Sequence, residues 1–191
     1  GQIYPLENFG KYVRMGADFQ CVAAKYMGAP QSTGVALGTK EVIDAISRHS
    51  FVGYESRRIR GIGRPHKIDR QEIMGAVAAV QRWMTLNHEE RLSVAEIQSQ
   101  AILKPLQGIA GVTAELNTNI KAHQPFGVFV SVDSDVVGFT NEDLVKKLRD
   151  GEPPIWTRVS PGETRLALHV FGLGEGEAEL VGNAIAAAVT G

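Results

Sequence analysis

The sequence predicts an α/β protein in two parts: an α/β portion running to about Pro65, then a smaller α+β portion. Three observations carry that expectation. Short apolar runs of strand length alternate with segments of helical spacing along the chain. A Gly/Pro-containing turn, Gly28 to Gly34, separates the first two apolar runs. A basic stretch from Gly53 to Pro65 then interrupts the alternation, with Arg57, Arg58, Arg60 and Arg64 interleaved with Gly61 and Gly63. It reads as an irregular connection between the two parts.

Each element has a local reason. Glu7 to Met15 has a helical pattern that ends at Gly16, as helices commonly do. Phe19 to Ala24 and Gly34 to Leu37 are apolar runs of strand length, and Thr39 is placed to cap a helix from Lys40 to His49. Beyond the connection, Asp69 and Glu72 have capping-box spacing, and the helix they open carries Ile73, Val77, Val80 and Met84 at helical intervals. A further helical segment runs from Glu89 to Leu103, with Ser93 and Glu96 offering an alternative start. Val112 to Leu116 and Phe126 to Val132 are rich in strand formers. Thr140 and Asp143 repeat the capping-box spacing for a helix through Leu148, which Glu152-Pro153-Pro154 breaks. Ile155 to Val159 and Thr164 to Val170 read as strands. An Ala-rich helix from Glu175 to Val189 closes the chain, its early glutamates suiting the positive end of the helix dipole.

Composition narrows the function classes. Twenty Lys and Arg against 21 Asp and Glu leave a formal net charge of -1 in 191 residues, so nothing in the balance calls for nucleic acid or a membrane surface. No apolar run reaches the roughly 18 residues of a membrane span. The start, Gly1-Gln2-Ile3-Tyr4-Pro5, has neither a basic region nor a signal-peptide core, and it carries no initiator Met. Cys21 is the single cysteine, which rules out an intrachain disulfide and fits a reducing cytoplasm. On its apolar strand it reads as a core residue, and Trp83 and Trp156 read as packing residues. The five histidines are scattered without metal-ligand spacing.

The stretch that carries chemistry is 16–34. Lys25 stands where an apolar run gives way to the Gly/Pro turn. An ammonium there is expected to be partly desolvated, which lowers its pKa and frees an amine for imine formation. The turn adds backbone N–H groups and the hydroxyls of Ser32 and Thr33, which suit a phosphate or carboxylate. On spacing alone, an ordinary surface lysine before a turn is the commoner reading.

The same residues resemble the lysine region of the fold type I pyridoxal 5'-phosphate (PLP) enzymes in the selenocysteine synthase and D-glucosaminate-6-phosphate ammonia-lyase group. The matching features are Gly16-Ala17-Asp18, Lys25, Gly28-Ala29-Pro30-Gln31-Ser32-Thr33-Gly34 and Gly38-Thr39-Lys40-Glu41. Gly63-Arg64-Pro65-His66-Lys67-Ile68-Asp69 resembles the family's entry to its long linking helix, and Gly151-Glu152-Pro153-Pro154-Ile155 resembles its small-domain strand. The resemblance implies an aminotransferase-like fold. Residues 1–65 would end the large PLP-binding domain, and 66–191 would form the linking helix and the small α+β domain. Lys25 would be the Schiff-base lysine and the proton shuttle at the substrate Cα. Gln31 and Ser32 would lie near the cofactor and Arg64 near the substrate's anionic group, with His66 and Lys67 as weaker candidates.

Two departures stand out. Val22 replaces a serine common near the cofactor phosphate, and the late arginine of the selenocysteine synthases is replaced around His169-Val170-Phe171. The family's acidic partner for the pyridine nitrogen and its ring-stacking residue come from upstream of the lysine. The chain is therefore expected to be a fragment holding half of a cofactor site. The function implied is that of a cytoplasmic PLP-dependent lyase or transferase acting on an amino acid or amino sugar acid. It would abstract the Cα proton and eliminate a β-substituent, in a homodimer or larger oligomer that shares the site. The alternatives are a seryl-tRNA selenium transferase, disfavoured by the lack of a basic surface for tRNA, and a non-catalytic oligomerisation or binding module.

Overall fold

The first apolar run pairs with the second. In the computed structural model, which describes residues 4–117, 126–159 and 164–191, β1 (Phe19–Ala23) and β2 (Gly34–Gly38) form an antiparallel hairpin, Phe19 opposite Gly38 and Ala23 opposite Gly34. The chain divides into two units between Leu86 and Asn87.

In the first unit the expected helix before β1 is broken. Leu6–Asn8 form a 3₁₀ turn and α1 covers only Lys11–Arg14. Gly10 between them is left-handed at φ 79°, a conformation glycine takes without a Cβ penalty. Side chains of β1 alternate as a strand requires, with Gln20 and Val22 buried and Phe19 and Cys21 exposed. Cys21 therefore faces outward, against the expectation of a core residue. Helix α2 (Lys40–His49) starts where the sequence indicates, the Thr39 hydroxyl accepting from the Val42 N–H at 3.4 Å. The basic stretch is less irregular than its composition suggests. Ser50 caps a helix, α3 (Phe51–Arg57), before Arg58 turns left-handed at φ 56°. Helix α4 (Arg70–Thr85) packs Ala79 and Trp83 against Val22, Ala24 and Met27. Asp69 stands at its N-cap position but makes no side-chain capping bond.

The second unit opens with α5 (His88–Leu103), capped by Asn87, whose side chain accepts from the Glu90 N–H at 3.2 Å; the start at Ser93 is not used. Its sheet is antiparallel in the order β3 (Val112–Leu116), β4 (Val128–Val132) and β5 (Leu166–Leu168). Strand β4 begins two residues later than expected because Phe126 and Gly127 are left-handed, at φ 67° and 111°. The Gly127 N–H donates instead to the buried Ser99 hydroxyl at 2.9 Å. Val128, Val130 and Val132 face the core, which α5 and α8 (Glu177–Thr190) enclose with Ile102 and Ile185. After the short α6 (Ser134–Val137), α7 (Asn141–Arg149) has the full reciprocal capping box of Thr140 and Asp143. Hydrogen bonds from Lys146 and then Thr140 hold the Asp143 carboxyl down at about 2.

Two expectations for this unit fail. Residues 155–159 form no strand and make only a bridge, Val159 with Leu166. Two prolines precede them and offer no N–H, and the Ile155 N–H goes to the Leu148 carbonyl at 2.8 Å. Trp156 is not a packing residue but is 81% exposed. Among the described residues no helix is long and apolar enough to cross a membrane, and no cluster of His, Cys, Asp and Glu could hold a metal.

Candidate active site

Lys25 lies in the connection of the β1–β2 hairpin, in a 3₁₀ turn from Ala24 to Met27. A period of three brings Ala24 and Met27 to one side, where both are buried, and leaves Lys25 and Tyr26 on the other, exposed. The apolar strand thus anchors the turn without enclosing the ammonium. Lys25 is open to solvent, not desolvated as its position after β1 suggests, and its Nζ lies 5.3 Å from the centre of the Tyr26 ring.

Backbone hydrogen bonds close the connection on itself. The Ala24 N–H donates to the Thr33 carbonyl at 3.0 Å, Gly28 to Lys25 at 3.0 Å, Ala29 to Ala24 at 3.3 Å and Thr33 to Pro30 at 3.1 Å. Gly28 takes φ 91°, which lets the chain leave the 3₁₀ turn. Helix α4 fixes the far side. The Ser32 hydroxyl donates to the Glu72 carboxylate at 3.1 Å, and a Cβ at Gly75 would come within 3.0 Å of the Pro30 ring. Glu72 thus serves Ser32 rather than the start of its own helix. Its place three residues after Asp69 disguised that role, and no local signal reveals a partner forty residues away.

The hydroxyls expected to meet an anion are engaged internally. Ser32 donates to Glu72, and Thr33 donates to the Pro30 carbonyl at 2.7 Å. The N–H groups of Gln31 and Ser32 have no partner among the described residues and remain as donors. Gln31 and Ser32 share the connection with Lys25. Arg64 has a different neighbour: its guanidinium stacks 4.3 Å from the centre of the Tyr54 ring of α3, which Arg58 also approaches at 5.9 Å. Lys67 lies over Phe51 at 4.9 Å. The sequence reading missed Tyr26 and Tyr54, whose proximity to Lys25 and to the arginines was the only signal available. Val22 is 1% exposed and gives its position no polar group. In the second unit His169 is exposed, Val170 is buried and Phe171 carries the Arg91 guanidinium at 4.9 Å.

Chemically, the connection offers an accessible primary amine on a backbone frame held at both ends, with two free N–H donors a few residues on. That combination fits covalent attachment of a carbonyl-bearing group that also carries an anion.

No family model matches the chain. A curated relative, 5'-C-glycyluridine monooxygenase-decarboxylase from Streptomyces sp, is 24% identical over 149 residues, which is 78% of this chain and 35% of that protein. Among solved structures, D-glucosaminate-6-phosphate ammonia-lyase matches with a TM-score of 0.63 and 22% identity, over 94% of this chain and 46% of that enzyme. The chain thus has the fold of part of D-glucosaminate-6-phosphate ammonia-lyase, a member of the group that the Lys25 region resembles. It spans less than half the length of either protein.

Proposed function

We propose that this chain supplies the lysine-bearing part of a PLP-dependent lyase or transferase acting on an α-amino acid or amino sugar acid. The observation that carries the reading is Lys25: an exposed amine on a pinned hairpin connection, in a chain whose fold matches part of an ammonia-lyase. When bound, PLP supplies an electron sink for the charge that develops at a substrate Cα.

The chain's own residues would divide the work as follows. Lys25 Nζ would hold the cofactor and, freed from it, would take the proton from the substrate Cα as a β-substituent leaves with its bonding electron pair. The N–H groups of Gln31 and Ser32 would hold an anionic group of the cofactor, and Arg64, stacked on Tyr54, would hold one on the substrate. Glucosaminate and a glycyl-substituted uridine, the compounds in the names of the two relatives, each carry an amine on the carbon beside a carboxylate. Together with the net charge of -1, this favours a small-molecule substrate over an aminoacyl-tRNA. The assembly that follows is a homo-oligomer whose subunits complete one another's sites.

Incubation with PLP, borohydride reduction and peptide mass spectrometry test the assignment. The expected result is a reduced pyridoxyl adduct on the peptide bearing Lys25, absent in Lys25→Ala. Labelling of Lys25→Ala equal to the parent protein overturns the assignment of the lysine. No adduct in either protein favours the non-catalytic module instead.

A further inference from the structure

The second unit contains a cavity of about 440 Å³ at the edge of its sheet. Its floor is apolar, from Ile102 of α5, Leu168 of β5 and Val181 of α8. Trp156, Arg158 and His169 stand at its mouth, and no carboxylate lines it among the described residues. The backbone explains why there is an opening. The bridge between Val159 and Leu166 is antiparallel, and its register continued would set Arg158 opposite Ala167 and Trp156 opposite His169. Pairing does not continue past the bridge, and at the far end of the segment the Ile155 N–H goes to the Leu148 carbonyl. Residues 155–158 and 167–169 both line the cavity.

Two features separate this cavity from an ordinary packing defect. Trp156 is 81% exposed, a large apolar cost for a side chain with no role in the core. Neither its indole N–H nor the Arg158 guanidinium has a partner among the described residues. An exposed indole face, an unpaired guanidinium and an apolar floor at one opening are complementary to a flat ring with a negative group at one end. The volume lies in the range of small-molecule pockets.

We propose that this cavity binds a planar aromatic ligand bearing a phosphate or carboxylate, with the ring on Trp156 and the anion on Arg158. The site lies wholly in the second unit and does not depend on the assignment of Lys25. Trp83, the other tryptophan, is buried, so quenching of intrinsic fluorescence by an added ligand reports chiefly on Trp156. The probes are adenosine monophosphate, adenosine and inorganic phosphate, with benzoate to separate a carboxylate from a phosphate preference. Saturable quenching by adenosine monophosphate or benzoate is expected, at concentrations well below those at which adenosine or phosphate alone act. Trp156→Ala, followed by equilibrium dialysis of the tightest probe, should weaken binding about fivefold or more, and Arg158→Gln should remove the advantage over the uncharged ring. Both side chains are exposed, so the thermal midpoint should not move. Binding that is as tight for phosphate alone, or unchanged in Trp156→Ala, overturns the proposal. Lys25→Ala should leave this binding intact, so failure of the Lys25 assignment and failure of this one are distinguishable.

Discussion

In the second unit three strands lie under α5 and α8, and Val130, Leu144, Leu166 and Ile185 are fully enclosed. Among its described residues the first unit has two strands and one long helix, and it encloses chiefly Val22, Ala24, Met27 and Trp83. Along its helix α4, Ile73, Met74 and Val77 stay exposed. A two-stranded hairpin is marginal by itself and depends on whatever packs against it. Lys25 therefore sits on the unit with the smaller core, and its turn is placed by a few contacts with α4. Segments that must admit a ligand are commonly drawn from the less stable parts of a protein.

Truncating the two cores is the strongest way to break that comparison. Ile185→Ala should cost about 2–5 kcal/mol in urea unfolding, while Met27→Ala should fall at the lower end of that range because a small core relaxes around the gap. Equal losses would remove the distinction. Next in size is Gly182→Ala. A Cβ there would meet the Ile102 carbonyl oxygen at 2.7 Å, where α8 crosses α5, so overpacking should cost about 1–3 kcal/mol. A raised thermal midpoint would contradict the close approach.

Thr140→Ala removes half of the α7 capping box and should lower stability by about 1 kcal/mol, again in the second unit. The box also has a pH signature. The Asp143 carboxyl titrates at about 2 in the folded protein, below its ordinary 3.8, chiefly through the hydrogen bond from Lys146. Its contribution is therefore complete above the ordinary value and is lost as pH falls through about 2. The difference between Thr140→Ala and the parent should shrink over that window in acid titrations followed by circular dichroism.

The smallest effect is expected at the amine-bearing turn. Ser32→Ala, which cuts the link to Glu72, should change global stability by less than about 0.5 kcal/mol. It should nevertheless speed hydrogen exchange of amides in 24–33, read by mass spectrometry. Unchanged exchange there would mean that α4 does not steady the turn through this bond.

Much of this was legible along the chain. The caps at Thr39 and Thr140 act within three residues, and the β1 and β4 runs encode their own alternation, so spacing is enough to find them. The position of Lys25 after an apolar run likewise put it at the start of a turn. Other features depend on partners that spacing cannot name. Glu72 had two acceptable uses, and geometry chose Ser32 over its helix end. The alternation of β1 gave Cys21 a face but not which face would be covered. The 155–159 run has strand character, yet its first N–H was taken by Leu148.

By itself, then, the sequence determined the local elements, their caps and the placement of one lysine on a turn, because those follow from hydrogen bonds and periodicities spanning a few residues. Tertiary structure decided how the turn is held against α4, that Lys25 is left in solvent, and that Trp156 and Arg158 open onto a cavity. Each of those depends on which distant groups compete for the same donor or the same face, and only the folded chain settles that competition.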